Sequence, residues 1–314
     1  RDLRMSRGLG DVYKRQVYNK ARRALMVVNE ATSCVQAKGT KTVSTAAAAA
    51  AAAAAIVAGL SGTAAAADAP HTTITIDGST TAEALADIQG TAAFEGFTSV
   101  TDKDAYKSGA VYINHNKNAV VFKNGVKFVN NTSEQAGGAL EIQSGQASLK
   151  DAVITGNKAD TWGGAIRMAG DSALTLEVSK DTLYSGNKSN VNGKLPYADM
   201  GDFAYLNGTA TGQTVLNLKA GKDATLTIAD SIASVGINNT INVEGKVNIT
   251  GSMEAYTGDI TVASGGELTL AGGFGSYDLW SIANKRGYNS LAQSTLTVQN
   301  GGRAALGDLL ITRQ

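Results

Sequence analysis

The 314-residue chain has one cysteine, two prolines, two histidines and an aromatic fraction of only 6%. A lone cysteine, Cys34, rules out an intrachain disulfide, so whatever folds here is held by non-covalent packing. His71 and His115 stand far apart, with no cluster of Cys, Asp or Glu at metal-ligand spacing around them. No metal and no cofactor is therefore expected. Nor is there a long strongly apolar run: the longest, Ala46 to Leu60, is fifteen residues, mostly alanine. That falls short of the roughly 20 residues needed to cross hydrocarbon. The net charge of +1 hides an asymmetry. Ten of the 28 Lys and Arg but only three of the 27 Asp and Glu lie in residues 1–67, so that part is +7 and residues 68–314 are −6. An acidic body offers no positive surface for nucleic acid or an anionic membrane, and that partner class is set aside.

What is present begins with an export signal. A basic stretch precedes the alanine run, which closes on Ile56-Val57-Ala58-Gly59-Leu60 and is followed by Ala64-Ala65-Ala66-Ala67-Asp68. Basic start, apolar centre and small residues before a cut form the three-part pattern of a secretory signal peptide. Ala65 and Ala67 occupy the −3 and −1 positions, so cleavage is expected after Ala67, with Asp68 opening the mature chain. A cut after Ala69 would place Pro70 at the scissile bond, where its fixed geometry fits a peptidase poorly. The expectation is a helical signal peptide with its apolar and cleavage regions at residues 46–67. Export also suits the absence of cysteine after residue 34, since a chain threaded unfolded through an oxidising periplasm cannot afford premature disulfides.

Upstream, Asn19-Lys20-Ala21, Val27-Val28-Asn29-Glu30 and Lys38-Gly39 follow one another in order, with the aromatic Tyr18 ahead of them. Residues 17–45 resemble the extended signal peptide region of autotransporters and other type V secreted proteins of Gram-negative bacteria. In that family a tryptophan usually stands at the Tyr18 position, serine at the Asn29 position, and a Gly-Lys pair follows. The resemblance implies passage through the Sec translocon, processing by signal peptidase, and an outer-membrane β-barrel, supplied by a C-terminal part of the same gene, with its assembly machinery. Asp11-Val12-Tyr13-Lys14-Arg15-Gln16 resembles instead the translated end of a transposase adapter used in sequencing libraries, so residues 1–16 are expected to be non-native.

From Asp68 onward short period-2 runs recur, among them Thr73-Ile74-Thr75-Ile76, Leu174-Thr175-Leu176-Glu177-Val178, Thr225-Leu226-Thr227-Ile228, Ile260-Thr261-Val262 and Leu296-Thr297-Val298. Each reads as a short strand with one apolar face, and glycine-rich turns such as Asn124-Gly125 and Ser264-Gly265-Gly266 separate them. One helical piece is expected near Thr80 to Asp87, with Thr80 and Glu83 as a capping box. Within this texture lies a repeat. Phe128-Val129-Asn130-Asn131 with Gly137-Gly138-Ala139-Leu140 returns, 26 residues later, as Ile154-Thr155-Gly156-Asn157 with Gly163-Gly164-Ala165-Ile166. Leu183-Tyr184-Ser185-Gly186-Asn187 is a looser third copy lacking the glycine pair. A fixed period on short strands is the mark of a solenoid. The repeats resemble those of polymorphic-membrane-protein-type autotransporter passengers, which implies an all-β fold, a right-handed parallel β-helix over residues 68–314. At 20–26 residues per coil, about ten coils stacked near 4.8 Å would make a rod on the order of 50 Å. The terminal Leu309 to Gln314 strand pattern stops without a cap, so the gene is expected to continue. An antiparallel β-sandwich or barrel is the competing architecture.

Chemistry is sparse. Gly170-Asp171-Ser172-Ala173 lacks the second glycine of a serine-protease nucleophile motif. Asp160, Arg167 and Asp171, with Trp162 to stack on a sugar, form the basis of an alternative reading as a secreted polysaccharide lyase or hydrolase. The favoured expectation is a non-enzymatic surface adhesin or self-association protein, its partners a host surface or like chains. Two aromatic-rich interruptions are the expected contact loops: Tyr197, Phe203 and Tyr205 in the first, Tyr277, Trp280 and Tyr288 in the second. Such aromatics serve equally well as contact residues or as plugs of the core.

Overall fold

The computed structural model describes residues 14–19, 24–29, 72–99, 109–194, 200–236, 238–253, 256–272, 274–275, 294–307 and 309–310. The chain divides into two units, residues 1–56 and 57–314. In the first, Lys14–Asn19 pairs antiparallel with Ala24–Asn29, Lys14 facing Asn29. The expected signal helix and the cleavage residues Ala65, Ala67 and Asp68 lie outside the described residues.

The second unit is β-structure with a single helix among the described residues. That helix, Ala82–Gly90, is capped one residue later than expected. The Thr81 hydroxyl accepts from the Ala84 N–H at 3.2 Å, while the Thr80 hydroxyl accepts from the Asp77 N–H at 2.9 Å and closes the preceding turn. Its one fully buried residue, Ile88, joins the core beside the partly buried Leu85.

Every strand pair described in this unit is parallel, which removes the antiparallel sandwich or barrel. One path runs through eight strands: Ile74–Asp77, Val111–Val121, Leu140–Lys150, Ser172–Val178, Thr214–Ala220, Asn239–Glu244, Asp259–Val262 and Thr295–Val298. Leu140–Lys150 is a fork. Its first half pairs with Ile166–Ala169 and its second half with Ser172–Val178, and the first branch continues into Ala204–Gly208 and Ile232–Gly236. A second face repeats the order, from Ala93–Glu95 through Lys127–Val129, Val153–Thr155, Thr182–Tyr184, Thr225–Ile228, Lys246–Ile249 and Glu267–Leu270 to Arg303–Leu306.

The 26-residue repeat is the register itself: Ile154 faces Phe128, and Ile166 faces Leu140. Among the described residues this path holds eight successive strands, some passes being longer than 26 residues. Ile74 to Val111 spans 37 positions, Leu174 to Leu216 spans 42, and Ile260 to Leu296 spans 36.

Stacking in register turns each inward position into a column. Phe94, Phe128 and Ile154 are successive partners, as are Tyr184, Ile228, Ile249 and Leu270, the Thr155–Ser185 bridge joins the two runs, and none of the seven is more than 1% exposed. Phe94 and Phe128 stack at 4.8 Å, and Tyr184 stacks on Phe203 at 5.3 Å. Burying one such side chain contributes roughly 1.5–3 kcal/mol.

Asn131, Asn157 and Asn187 form a second, polar column, each at most 3% exposed. The Asn131 amide nitrogen donates to the Asn157 side-chain oxygen at 2.9 Å, and Asn157 donates to Asn187 at the same distance. Each acceptor oxygen also takes the backbone N–H of the preceding asparagine, at 3.1 Å. The Asn131 oxygen receives the Phe97 N–H, and at the other end Asp230 accepts from the Asn187 amide at 2.8 Å. A carboxylate accepts without needing to donate, so it is a suitable last member. The looser third copy is therefore in step with the other two. Its glycine partner is Gly201, 14 positions after Asn187, where Gly137 and Gly163 follow their asparagines by 6.

The paired glycines serve two needs. Gly137 and Gly163 adopt φ of 60° and 66°, and a Cβ on Gly163 would collide with the Ile166 carbonyl. Gly138 and Gly164 lack room: a Cβ there would sit 2.7 Å from the Lys158 nitrogen and 2.6 Å from the Lys188 nitrogen.

Asn157→Ala takes the acceptor from the Asn131 backbone N–H and one of its side-chain hydrogens, and a donor from the Phe128 carbonyl and the Asn187 oxygen, so a loss of about 3 kcal/mol is expected in urea unfolding. The Tyr184 hydroxyl, by contrast, is buried without a hydrogen-bond partner. Tyr184→Phe keeps the stack and removes that cost, and the same measurement is expected to show a gain of about 1 kcal/mol.

Candidate binding surface

Outward positions also form columns, and the aromatic ones gather beside the insertion after Asn187. Tyr112, Glu141, Arg167, Tyr205 and Ala233 are successive register partners on the forked branch. Trp162, half-buried, stacks on Tyr205 at 6.0 Å, and Met200, Ala233 and Val235 complete a small apolar cluster apart from the main core. In the same column, Glu141 is only 1% exposed and forms an ion pair with Arg167, whose guanidinium also reaches the Gln143 side-chain oxygen at 3.3 Å. Burial pushes the Tyr112 phenol above its ordinary range; Glu141 adds to the rise, Arg167 opposes it and Asp77 adds further.

The insertion is pinned to this face. Asp202 accepts from the Ser189 N–H and hydroxyl, both at 2.7 Å, and pairs with Lys188 at 2.7 Å. Lys194 reaches back to Asp160 at 2.7 Å, and the Asn190 N–H donates to the Thr161 carbonyl at 2.9 Å.

These contacts rearrange the expected site. Phe203 is fully buried against Tyr184 in the core, and Tyr205 is 5% exposed beneath Trp162 and Met200, so neither side chain stands open on this surface. Phe203 enters the main core just ahead of the strand Ala204–Gly208, whereas Tyr205, on the outer face of that strand, is covered by Trp162 and Met200. Tyr197, Tyr277, Trp280 and Tyr288 lie outside the described residues. Asp160, Arg167 and Asp171 do not converge: the first pairs with Lys194, the second with Glu141, and the third is an exposed turn residue. Among the described residues no group of three or more His, Cys, Asp and Glu could hold a metal.

A second surface feature was not foreseen. On the eight-strand path, Lys150, Glu177, Lys219 and Glu244 are register partners on four consecutive strands, with Lys150–Glu177 at 2.6 Å and Lys219–Glu244 at 2.9 Å. The Glu177 carboxylate holds the exposed Lys150 ammonium above its ordinary range, by hydrogen bond and by charge. Next to this column, Thr175, Asn217 and Asn242 form a ladder, Asn217 donating to Thr175 at 3.2 Å and Asn242 to Asn217 at 2.9 Å. The sequence did hold the signal, a charge directly after an inward residue in Leu176-Glu177, Leu218-Lys219 and Val243-Glu244. Offsets of 42 and then 25 between these strands hid the alignment.

The chain matches no protein-family model, no curated protein and no solved structure.

The buried Glu141–Arg167 pair makes a clear energetic prediction. Arg167→Ala removes the cation paired with the buried Glu141 carboxylate, and a loss of about 3 kcal/mol is expected in thermal unfolding. Replacing both, as Glu141→Leu with Arg167→Met, is expected to restore most of that loss.

Proposed function

We propose that residues 68–314 form a right-handed parallel β-helix, part of the passenger of a Gram-negative autotransporter displayed at the cell surface. The passenger acts without catalysis, by many weak contacts along a rigid stack, in adhesion or self-association. The observation that carries this reading is the parallel, in-register pairing of eight successive strands from a sequence that follows an export-signal pattern. Such a stack suits secretion in one direction, because each strand needs only its immediate predecessor as a template. Sec translocon, signal peptidase and an outer-membrane β-barrel with its assembly machinery are the partners this role requires. Solenoid faces are long and regular, which suits repeated contact better than a single deep cleft.

Two measurements test the reading. Residues 17–314, carried on a β-barrel anchor in a Gram-negative host, are expected to reach the surface with Asp68 as the processed N-terminus. Cells displaying the chain are expected to aggregate or to adhere to a surface that control cells do not bind. Retention in the cytoplasm with an uncut leader would overturn the export half, and displayed chain with no adhesive effect the other half.

A further inference from the structure

The alternating charge column has a symmetry that a single chain does not need. From the earliest strand to the latest its order is Lys150, Glu177, Lys219, Glu244, plus, minus, plus, minus. Read from the opposite end the order is minus, plus, minus, plus. Two copies laid face to face and antiparallel therefore bring Lys150 against Glu244 and Glu177 against Lys219, each contact occurring twice about a two-fold axis. Laid parallel without a shift, every charge would meet its own sign, which is unfavourable. A surface that complements itself only after a half-turn is what an isologous dimer requires.

The surroundings suit such contact. The four charged side chains are 36–52% exposed, so each retains capacity for a second partner. The neighbouring column is short and polar, and its Thr175–Asn217–Asn242 ladder keeps the face level. The strands are spaced at about 4.8 Å, so the four charges span about 14 Å on either copy. We propose that this face docks antiparallel onto the same face of a second copy of the chain. The proposal rests on the adhesive reading above and names its partner. One such contact is weak, since exposed ion pairs contribute little each. Many copies on two opposed cell surfaces make it effective through multivalency.

The test is sedimentation velocity of the purified full chain, under reducing conditions so that Cys34 cannot cross-link. Concentration-dependent dimers are expected at low salt, weakening on the order of tenfold or more in 1 M NaCl, where the screening length falls to about 3 Å. Glu177→Lys alone and Lys219→Glu alone are each expected to be monomeric, because each places like charges in opposition twice. An equimolar mixture of the two is expected to associate, because Lys at 177 then meets Glu at 219 in one contact and Lys219 meets Glu177 in the other. Circular dichroism checks that both variants keep their strand content. Should either fail to fold, Glu177→Gln and Lys219→Gln and the salt titration of the unaltered chain carry the test. A chain that stays monomeric at low salt, reversal variants that associate like the parent, or a mixture that stays monomeric would each overturn the proposal. Displayed chain that adheres to a foreign surface while purified chain stays monomeric overturns self-docking and leaves the adhesive reading standing. Loss of both sinks both.

Discussion

A buried amide side chain needs partners for two donor hydrogens and an acceptor oxygen, and almost no apolar core can supply them. Asn131, Asn157 and Asn187 solve this by using one another: each oxygen serves the chain before it and each nitrogen serves the chain after it or a nearby carbonyl. The arrangement works only if successive passes are aligned at that position. A slip of one residue would send an asparagine to the opposite face and leave several buried groups unpaired. Apolar columns tolerate slippage far better, since one Ile resembles the next. The polar ladder therefore specifies register in the first half of the stack, and the Phe and Ile columns supply the bulk of the burial.

Beyond Asp230 the asparagine ladder stops, and the second half is aligned differently. One inward column there is aliphatic, Ile228, Ile249 and Leu270, while buried Ser234, Asn239 and Thr257 bond across passes and further polar pairs stand on the outside. Lys219 with Glu244, Glu267 with Arg303, and the Asn217–Asn242 bond all link adjacent strands at their exposed positions. Exposed ion pairs stabilise little, but like charges in adjacent positions would be disfavoured, so alternation selects the right pairing among several near-equal ones. The half that carries the buried ladder is also the half in which the 26-residue period is visible.

Insertions are absorbed at the corners without disturbing the columns. After Asn187 the chain leaves the stack, is held by Asp202 and by the Lys194–Asp160 pair, and returns with Phe203 on Tyr184 and Tyr205 beside Trp162. Of the two aromatics that follow the insertion, Phe203 thus enters the core and Tyr205 is covered on the outer face. A local run of aromatics in a polar sequence could not distinguish that outcome from an exposed loop.

Local periodicity was enough to determine the all-β class, the short strands with their turns and the equivalence of Phe128 with Ile154, because these depend on alternation and on spacings the chain repeats. It also identified the glycine pair, although not that one glycine is needed for its φ and the other for lack of space. Tertiary structure alone decided which strand neighbours which across passes of 19 to 44 positions. It therefore decided that Arg167 meets Glu141, that Asp230 ends the asparagine ladder, and that four charges from distant segments form one alternating column. Those pairings follow from hydrogen-bonded register between strands, and variable corner lengths erase that register from the linear order of residues.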